Sequence, residues 1–461
     1  MTAKLPYYTE KMDLTDRPRR FLEAFAAILT HSNYALILDQ YSRITTKCSR
    51  CADLCPVYEV TQEDRDIPCV RSELLLRVYR RYFTPGGRTK ARLFGGFELS
   101  DDHIHQMAVD MYRCTACRRC KNECPMGIDH GLMTHLTRWI LAEIDIIPKA
   151  LLVSVREQLE GETHNTSAIP IPALVDTCEF LEEEFRDIYE ADIKYPIDVD
   201  GAEWVFFPAV SDYLLEPDTL MGLAAVMELS GGSWTIGTHD FDGINYGLFY
   251  SDRMLGRIVR MAGDEVRRLG SKGVVVGECG HASRAAKGFL PTYCGGEDSP
   301  PVINIMEYTW QAIQDGRLKV APDVIDERTT YHDPCNIARS GWITEPPREI
   351  LKIICKDFVE MTPNRQHNYC CGGGGGAVSI DEIREFRTKI GGKKKADQIR
   401  ATGAKYLVAP CANCKKQLRE VCEDNDLPDV EVVGLHDLIL KALDFSPVKL
   451  VPQGDTAEEE N

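Results

Sequence analysis

The sequence has no long apolar run and no excess of positive charge. Its most apolar early stretch, residues 24–38, is interrupted by polar residues 30–33 and is shorter than the roughly 18 apolar residues of a membrane span. The first twenty residues lack the apolar core and cleavage site of a secretory signal. There are 54 Lys and Arg against 71 Asp and Glu, a formal net charge of −17. That acidity excludes general nucleic-acid binding, because phosphate attraction needs a basic surface.

Cysteine, in contrast, is abundant, and most of it stands in clusters. The 461 residues include 18 Cys and are 44% hydrophobic, which indicates a folded protein of two to four domains. A chain of this size has no need of a disulfide scaffold, and cytoplasmic thiols stay reduced. The clusters therefore indicate metal ligation rather than disulfide bonds.

The most specific motif is a run of four cysteines, Cys114, Cys117, Cys120 and Cys124, followed by Pro125. This C-x₂-C-x₂-C-x₃-C-P spacing is typical of bacterial two-cluster ferredoxins, in which the fourth Cys binds the other cluster. A structural zinc site is the alternative, but it would need neither the fourth Cys nor the Pro. The run therefore predicts [4Fe–4S] clusters.

An earlier motif, Cys48, Cys51 and Cys55 followed by Pro56, repeats only the last three cysteines of that spacing. The crossover pattern predicts two cubane sites, one held by Cys55, Cys114, Cys117 and Cys120 and one held by Cys48, Cys51, Cys124 and a fourth ligand. Cys69 is the nearest spare thiol and our candidate for that ligand. The alternatives are a [3Fe–4S] cluster, a ligand other than Cys, or Cys69 as a buried apolar side chain.

A second cysteine region lies near the C-terminus, at Cys335, Cys370, Cys371, Cys411 and Cys414. Adjacent cysteines cannot easily face one iron of a cubane, but they suit neighbouring irons of a more open cluster. The five glycines after Cys371 allow close backbone approach and positive φ. A phosphate-binding loop is disfavoured because no Lys-Ser or Lys-Thr follows; disulfides or zinc are the remaining alternatives.

The preceding half of the chain resembles the same unit without its thiols. Phe206–Ala209, Phe241–Gly243 and Val276–His281 stand at intervals similar to those of the later motifs, which indicates an internal duplication. Cys279 and His281 remain there; they could contact a substrate thiol, bind a partner's haem, or pack in a strand-end turn. Four further thiols have no motif spacing and are expected to be core or surface residues: Cys178, Cys294, Cys355 and Cys422.

These patterns predict an α+β multidomain chain: an N-terminal all-α ferredoxin module followed by two Rossmann-like α/β repeats, the first degenerate. We expect helices near 70–82, 101–112 and 132–144, and strands at 204–207, 273–277, 329–332, 405–409 and 430–433. The predicted segments are an N-terminal helix and docking segment (1–40), a ferredoxin module (41–147), a linker with one helix (148–200), a degenerate repeat (201–325), a cysteine-bearing repeat (326–445) and a disordered acidic tail (446–461).

Two ferredoxin motifs followed by paired Cys-Cys-Gly (CCG) domains resemble the heterodisulfide-reductase-like iron–sulfur subunits of membrane redox complexes. The degenerate first repeat, Gly277–His281 and Arg71–Leu75 are similar to a narrower group in sulfate reducers, the DsrK type and its relatives in the Hmc and Tmc complexes. The chain is shorter than expected for the DsrK type, and its first ferredoxin motif lacks one Cys. Both features place the sequence nearest the Hmc/Tmc type. The resemblance implies a noncubane [4Fe–4S] cluster, as the catalytic site, on Cys335, Cys370, Cys371, Cys411 and Cys414.

The resemblance also implies a function. We expect a cytoplasmic electron-transfer subunit, held peripherally at the inner membrane by integral redox subunits that are haem- or quinone-linked. Multihaem cytochrome c and ferredoxin-like subunits are the other expected partners, and a soluble disulfide protein is a possible acceptor. The alternatives are the electron-accepting subunit of a flavin-dependent glycerol-3-phosphate, glycolate or lactate oxidation system, and a non-catalytic relay.

One local exception to the acidity stands out. A basic run could dock a partner or an anionic membrane surface, or could be an ordinary solvated helix face. It comprises Arg77, Arg80, Arg81, Arg88, Lys90, Arg92, Arg118 and Arg119.

Overall fold

The computed structural model describes residues 15–242 and 246–450 and contains a helical part followed by two α/β units. Gly243, within the predicted duplication, and residues 451–461 of the predicted tail lie outside the described residues, as do residues 1–14. The helices of the first part are α1 (Arg17–Thr30), α2 (Tyr34–Ile44), α3 (Tyr58–Thr61), α4 (Pro68–Tyr82), α5 (Pro85–Phe94), α6 (Asp101–Tyr112), α7 (Arg119–Asn122) and α8 (His130–Ala142).

The helical part has one apolar core. Phe25 of α1, Leu38 of α2, Leu75 of α4, Ile104 of α6 and Leu136 of α8 are fully buried in it. Thus α1 and α2 belong to the same packed bundle as the helices around the cysteine motifs. Ser100 caps α6 by accepting from the amide of His103, as expected for Ser at a helix start.

The segment 148–200 was predicted to hold one helix, and this is wrong, because it holds two: α9 (Lys149–Glu160) and α10 (Ile171–Tyr189). Leu151 and Val155 of α9 pack into the core of the first α/β unit. Leu181 and Phe185 of α10 pack into a core shared by both units. An apolar stripe on each helix therefore fastens this segment to the rest of the molecule.

The first α/β unit is a four-stranded parallel sheet with strand order β2-β1-β3-β4. Its elements are β1 (Trp204–Phe207), α11 (Asp212–Leu215), α12 (Pro217–Leu229), β2 (Trp234–Thr235), α13 (Asp252–Arg268), β3 (Gly273–Val276), α14 (Gly280–Tyr293), β4 (Val302–Asn304) and α15 (Ile305–Gln314). The buried Val205 and Val274 are neighbours in the register of β1 and β3. Such continuous apolar strands are typical of a sheet covered by helices on both faces.

The second unit repeats this topology, with strand order β6-β5-β7-β8 and all neighbours parallel. Its elements are β5 (Thr329–Tyr331), α16 (Glu345–Ile354), β6 (Phe358–Val359), α17 (Arg384–Phe386), α18 (Lys393–Thr402), β7 (Tyr406–Val408), α19 (Ala412–Asp424), β8 (Glu431–Val433) and α20 (Leu435–Ala442). A π-helical turn, Asn336–Ser340, follows β5. The identical strand order is what an internal duplication would produce.

A buried polar cluster joins the two units where α12 packs against α20. The Lys415 ammonium donates to Thr219 Oγ1 (2.7 Å) and lies 3.7 Å from an Asp212 oxygen and 3.4 Å from a Glu216 oxygen. Burial raises the pKa of Asp212 to about 7, although Lys415 opposes this shift. On the other side of the cluster, Glu278 accepts hydrogen bonds from the amide and ring nitrogens of His436, at 2.8 and 2.7 Å.

Within the described part of the chain, no single helix has the length and apolarity of a membrane span. Only α1 and α2 taken together, bent by 107° where they meet, reach that length and composition.

Candidate iron–sulfur centres

The C-terminal thiols gather at the carboxyl edge of the second sheet. Cys335 follows β5 and Cys411 follows β7, which are the two central strands. The crevice outside the carboxyl ends of such neighbouring strands is the usual ligand site of open parallel sheets. Cys370 and Cys371 reach the same edge on the long loop after β6. The two motifs that begin and end this cysteine region therefore each follow a central parallel strand.

All five thiols of this CCG site are buried and free of disulfide bonds. The sulfurs of Cys371 and Cys414 are 3.6 Å apart, and the Cys370 thiol contacts those of Cys335 and Cys371. Hydrogen bonds from Cys370 and Cys414 hold the pKa of Cys371 well below its usual value. Five converging thiols, of which Cys371 and Cys411 have a lowered pKa, are a donor set for soft metal ions.

The glycines that follow Cys371 let the backbone pass where there is no room for a side chain. Gly372 has φ +99°, and a Cβ there would lie 2.4 Å from the carbonyl oxygen of Arg387. Gly375 has φ +62° and lies against the Arg138 guanidinium of the helical part. The run therefore wraps the two vicinal cysteines and also contacts the ferredoxin part.

Cys279 and His281 join this site from the first unit. Both side chains are buried and both contact the Cys411 thiol, lowering its pKa. Asn413 lies 3.1 Å from the His281 ring and orients it. Both residues stand where β3 leads into α14, as the interpretation of packing in a strand-end turn expects, and they also lie beside the Cys411 thiol.

Two residues of the site were not singled out from sequence. His332, which directly follows β5, has a ring nitrogen within 4.8 Å of the Cys371 and Cys414 sulfurs, and its hydrogen bond with Cys371 helps to lower the pKa of that thiol. Lys395 of α18 is fully buried and donates to the Met361 sulfur at 3.4 Å. Burial lowers the pKa of Lys395 to about 8. His332 had a signal, because it stands in the same strand-end motif as Cys335, whereas Lys395 had none.

The ferredoxin cysteines fall into two groups around two separate cavities. One cavity is lined by Cys55, Cys114, Cys117 and Cys120. Arg71, whose side chain is 3% exposed, also lines it, and its charge favours the thiolates of Cys55 and Cys114. The second cavity is lined by Cys48, Cys51, Cys69 and Cys124.

Cys69 is in direct contact with its proposed partners. Its sulfur is 3.8 Å from the Ser49 hydroxyl, and it shares a hydrogen bond with the Cys51 thiol. That hydrogen bond lowers the pKa of Cys69 to about 6, and its position in the first turn of α4 adds the helix dipole. The structure thus places Cys69, as predicted, in the group that lacked a fourth thiol.

The three groups lie in a row. Cys120 of the middle group packs against the small apolar cluster of Ala52, Ile67 and Cys51, the last of which belongs to the outer group. Cys117 of the middle group makes a thiol–thiol hydrogen bond with Cys370 of the CCG site. Neighbouring groups therefore lie next to each other.

Two buried arginines hold the parts in this arrangement. Arg138 of α8 donates to the carbonyls of Met111 (2.8 Å) and Cys114 (2.7 Å) and to that of Gly375 in the second unit (2.7 Å). Arg339, after Cys335, donates to the carbonyl of Cys117 at 2.6 Å. A guanidinium presents five donors in a rigid plane, so one side chain can bind several strands of backbone.

The remaining thiols behave as predicted for core residues. Burial raises the pKa of all four, Cys178, Cys294, Cys355 and Cys422. Cys422 lies in the same apolar cluster as the CCG thiols, and the other three pack in the cores of the α/β units. The residues of the basic run have different surroundings. Arg77 stacks on Phe97, whereas Lys90 and Arg92 project from the exposed helix α5.

Comparison with known proteins agrees with this organisation. Residues 46–128 match the model of the 4Fe-4S dicluster domain, and residues 329–419 match that of the cysteine-rich CCG domain. These domains are found in iron–sulfur proteins, and the two groups of ferredoxin cysteines and the CCG site are the corresponding donor sets. The five buried CCG thiols form no disulfide, and a His332 ring nitrogen lies within 4.8 Å of two of them, which fits a metal cluster better than a disulfide.

Relatives are similar over most of the chain. An Hdr-like menaquinol oxidoreductase iron–sulfur subunit of Archaeoglobus fulgidus is 28% identical, with 92% of this chain and 83% of the relative covered. A subunit of the dihydromethanophenazine:CoB–CoM heterodisulfide reductase of Methanosarcina acetivorans is 26% identical, with 87% and 94% covered. A probable membrane-anchored ferredoxin of Chromohalobacter salexigens is 27% identical, with 89% and 61% covered. The predicted resemblance is thus confirmed: the chain is similar to Hdr-like iron–sulfur subunits over most of its length, and it combines a region that matches the 4Fe-4S dicluster domain with one that matches the CCG domain.

Proposed function

We propose that the chain carries electrons through three clusters in series, from a membrane partner to the CCG site, where a disulfide is reduced. Two observations carry this proposal: Cys120 packs against the apolar cluster that contains Cys51, and the Cys117 thiol is hydrogen-bonded to that of Cys370, so neighbouring donor sets lie next to each other. In this assignment, the outer cubane has Cys69 as its fourth ligand. The noncubane cluster uses the five thiols of the CCG site, with Cys279 and His281 at its Cys411 end.

The clusters, when bound, supply the one-electron steps between donor and acceptor. Disulfide reduction consumes two electrons and two protons: the S–S bond breaks, each sulfur gains one electron and one proton, and two thiols leave. A membrane quinol or a cytochrome subunit is the class of electron donor. The protein contributes burial and charge: Arg71 and Arg339 place positive charge beside thiolates of the middle group and so favour the reduced, more negative state of that centre.

We further propose that the protein lies at the cytoplasmic face of the membrane and contacts it through α5. This helix has no buried residue, and Leu93 and Phe94 at its end are 67% and 80% exposed. The exposed basic residues Arg88, Lys90 and Arg92 stand beside them. Apolar tips flanked by cations are typical of helices that lie on anionic lipid.

We expect the double variant Leu93→Ser/Phe94→Ser to sediment roughly threefold less with vesicles that contain anionic lipid, since it loses buried apolar area at the interface. Thermal unfolding should be unchanged, because both side chains are exposed. The matched control is Leu214→Ser/Leu215→Ser, since these side chains are also exposed (57% and 67%) but lie beside the acidic residues Asp212 and Glu216. Equal sedimentation of all three proteins would contradict a lipid contact at α5.

The relatives support a membrane-linked redox complex, since their names include a menaquinol oxidoreductase and a heterodisulfide reductase. The narrower placement beside the Hmc/Tmc type, with cytochrome partners and sulfate respiration, is part of this proposal. Isolation of the native complex tests it. Membrane cytochrome or quinone-linked subunits are expected, whereas a flavoprotein partner would favour the glycerol-3-phosphate, glycolate or lactate type of system.

The CCG cluster is tested by Cys414→Ser against Cys422→Ser, two buried thiols on the same helix α19. In an anaerobic redox titration followed by electron paramagnetic resonance, we expect the wild-type protein to show two cubane signals and a third signal that changes when thiol is added. Cys414→Ser should lose the third signal and Cys422→Ser should keep it. A wild-type spectrum that shows cubane signals alone would contradict a CCG cluster and would favour the non-catalytic relay.

A further inference from the structure

A lysine in the interior of the second unit has no acidic partner. Lys395, in the first turn of α18, is 0% exposed, and its ammonium donates to the Met361 sulfur at 3.4 Å. Among the described residues, this ammonium forms no ion pair within 4.0 Å. A thioether is only a weak acceptor, so the contact with Met361 does not replace the water that the ammonium loses on burial. A buried cation in this position is costly unless negative charge lies near it.

The carboxylate that acts most strongly on Lys395 is already neutralised. This carboxylate is that of Asp333. Its two oxygens accept hydrogen bonds from the Arg348 guanidinium, each at 2.8 Å, and one of them also accepts from the Arg365 amide at 2.7 Å. Asp333 and Arg348 together carry no net charge, so they leave the charge of Lys395 uncompensated.

The fold directs Lys395 toward the two vicinal cysteines. The helix α18 begins after Gly392, where a Cβ would lie 3.0 Å from the Cys371 carbonyl oxygen. Met361, the acceptor of Lys395, belongs to the same apolar cluster as Cys370 and Cys371. After Asp333, the thiolates of these two cysteines are the anions that most favour the charged form of Lys395. The negative charge that faces Lys395 is therefore that of the CCG site.

The ammonium is the main form of Lys395 at neutral pH, because burial lowers its pKa only to about 8. A cluster held by thiolates is negatively charged, and each electron that enters it adds one more negative charge. A fixed cation in a water-poor interior stabilises the more negative, reduced state more than the oxidised state. Such a cation raises the reduction potential of the centre beside it.

We propose that Lys395 is the counter-cation of the CCG centre and raises its reduction potential, so that electrons from the middle group are retained there. The inference rests on the proposed function for the presence of a cluster at this site. Lys395 acts through the charge of the centre and contacts no substrate, so it is a positioning residue for charge and not a catalytic residue.

The test is an anaerobic redox titration of the cluster-loaded full chain, followed by electron paramagnetic resonance. In the neutral variants Lys395→Met and Lys395→Gln, we expect the equilibrium constant for one-electron reduction of the CCG centre to fall roughly tenfold, which is a potential lower by about 59 mV. Lys395→Arg restores the positive charge and should recover most of the wild-type potential. The potentials of the two cubane signals should not change in any of these variants.

Two controls separate charge from packing. Lys393→Met removes a cation from the same helix, but Lys393 is partly exposed and pairs with Asp397, so the CCG potential should stay as in the wild type. Met361→Leu removes the sulfur acceptor of Lys395 and keeps its charge, and this variant should also leave the potential unchanged. A shift in Met361→Leu equal to that in Lys395→Met would mean that Lys395 acts through packing, and would overturn the proposal.

The remaining outcomes are equally decisive. Loss of the CCG signal and of its iron in both neutral variants, with retention in Lys395→Arg, would support the proposal, because the charge would then be needed to hold the cluster. The same loss in Lys395→Arg as well, or unshifted potentials in the neutral variants, would reject the role of Lys395 alone. A wild-type protein that lacks the third signal would reject the proposed CCG cluster, and the role of Lys395 with it.

Discussion

Cys69→Ala is expected to remove about four iron atoms per chain, and electron flow from a membrane donor to the CCG site should fall by roughly two orders of magnitude, because a cubane held by three cysteines is lost or degraded. The thiols of Cys48, Cys51, Cys69 and Cys124 surround one cavity, and Cys51 belongs to the apolar cluster against which Cys120 of the middle group packs. Loss of the outer cluster therefore breaks the series at its first member, while the CCG site is left intact.

Iron and sulfide analysis with electron paramagnetic resonance measures this effect. The matched control is Cys178→Ala, which removes a buried thiol of α10 that lies in the core shared by the two α/β units, away from the three groups. Its iron content should equal that of the wild type. Unchanged iron and an unchanged spectrum in Cys69→Ala would mean that Cys69 is a packing residue and that another group completes the outer centre.

Arg138→Met is expected to lower the free energy of unfolding by about 3 kcal/mol, because it leaves several buried carbonyls without a donor. The guanidinium is 1% exposed, stacks 4.2 Å from the Tyr112 ring centroid and joins Cys114 of the ferredoxin part to Gly375 of the CCG unit. Electron transfer between the middle and CCG centres should also slow, since Cys114 and Gly375 lie on the loops that carry Cys117 and Cys370.

Urea unfolding and the rate of CCG reduction in single-turnover mixing measure the two effects. Arg138→Lys keeps the charge and one hydrogen bond and should recover part of the loss. Arg267→Met, at an exposed ion pair of α13, is the surface control and should change stability by less than about 0.5 kcal/mol. A stable Arg138→Met variant with wild-type transfer would show that the parts are held together by other contacts.

Much of the fold could be predicted from the spacing of apolar residues and from the residues that begin and end helices and strands. The strand at 204–207 and the helix at 101–112 have the predicted bounds, and α4 and α8 begin about two residues before theirs. The division of the ferredoxin thiols into two groups followed from the crossover spacing, because that spacing alone determines which cysteine points away from its own cluster. Local sequence patterns are therefore enough to predict these helices and strands and the division of the ferredoxin thiols into two groups.

The rest depends on contacts that local patterns do not encode. The strands β2, β4 and β6 have two or three residues, too few to show an alternation. The contacts Arg138–Gly375 and Cys117–Cys370 join residues more than 200 positions apart, and they form only when the helical part packs on the second unit. For the same reason, the approach of Cys279 and His281 to Cys411 required the packed structure.

The buried cluster around Lys415 limits how the molecule can move. A clamshell opening between the two α/β units would separate Lys415 from Asp212 and Glu216 and leave ions unpaired, at several kcal/mol each. Hinge closure is therefore a poor way to admit and release a ligand in this architecture. Ligand access to the CCG site therefore has to occur with the two sheets held in place relative to each other.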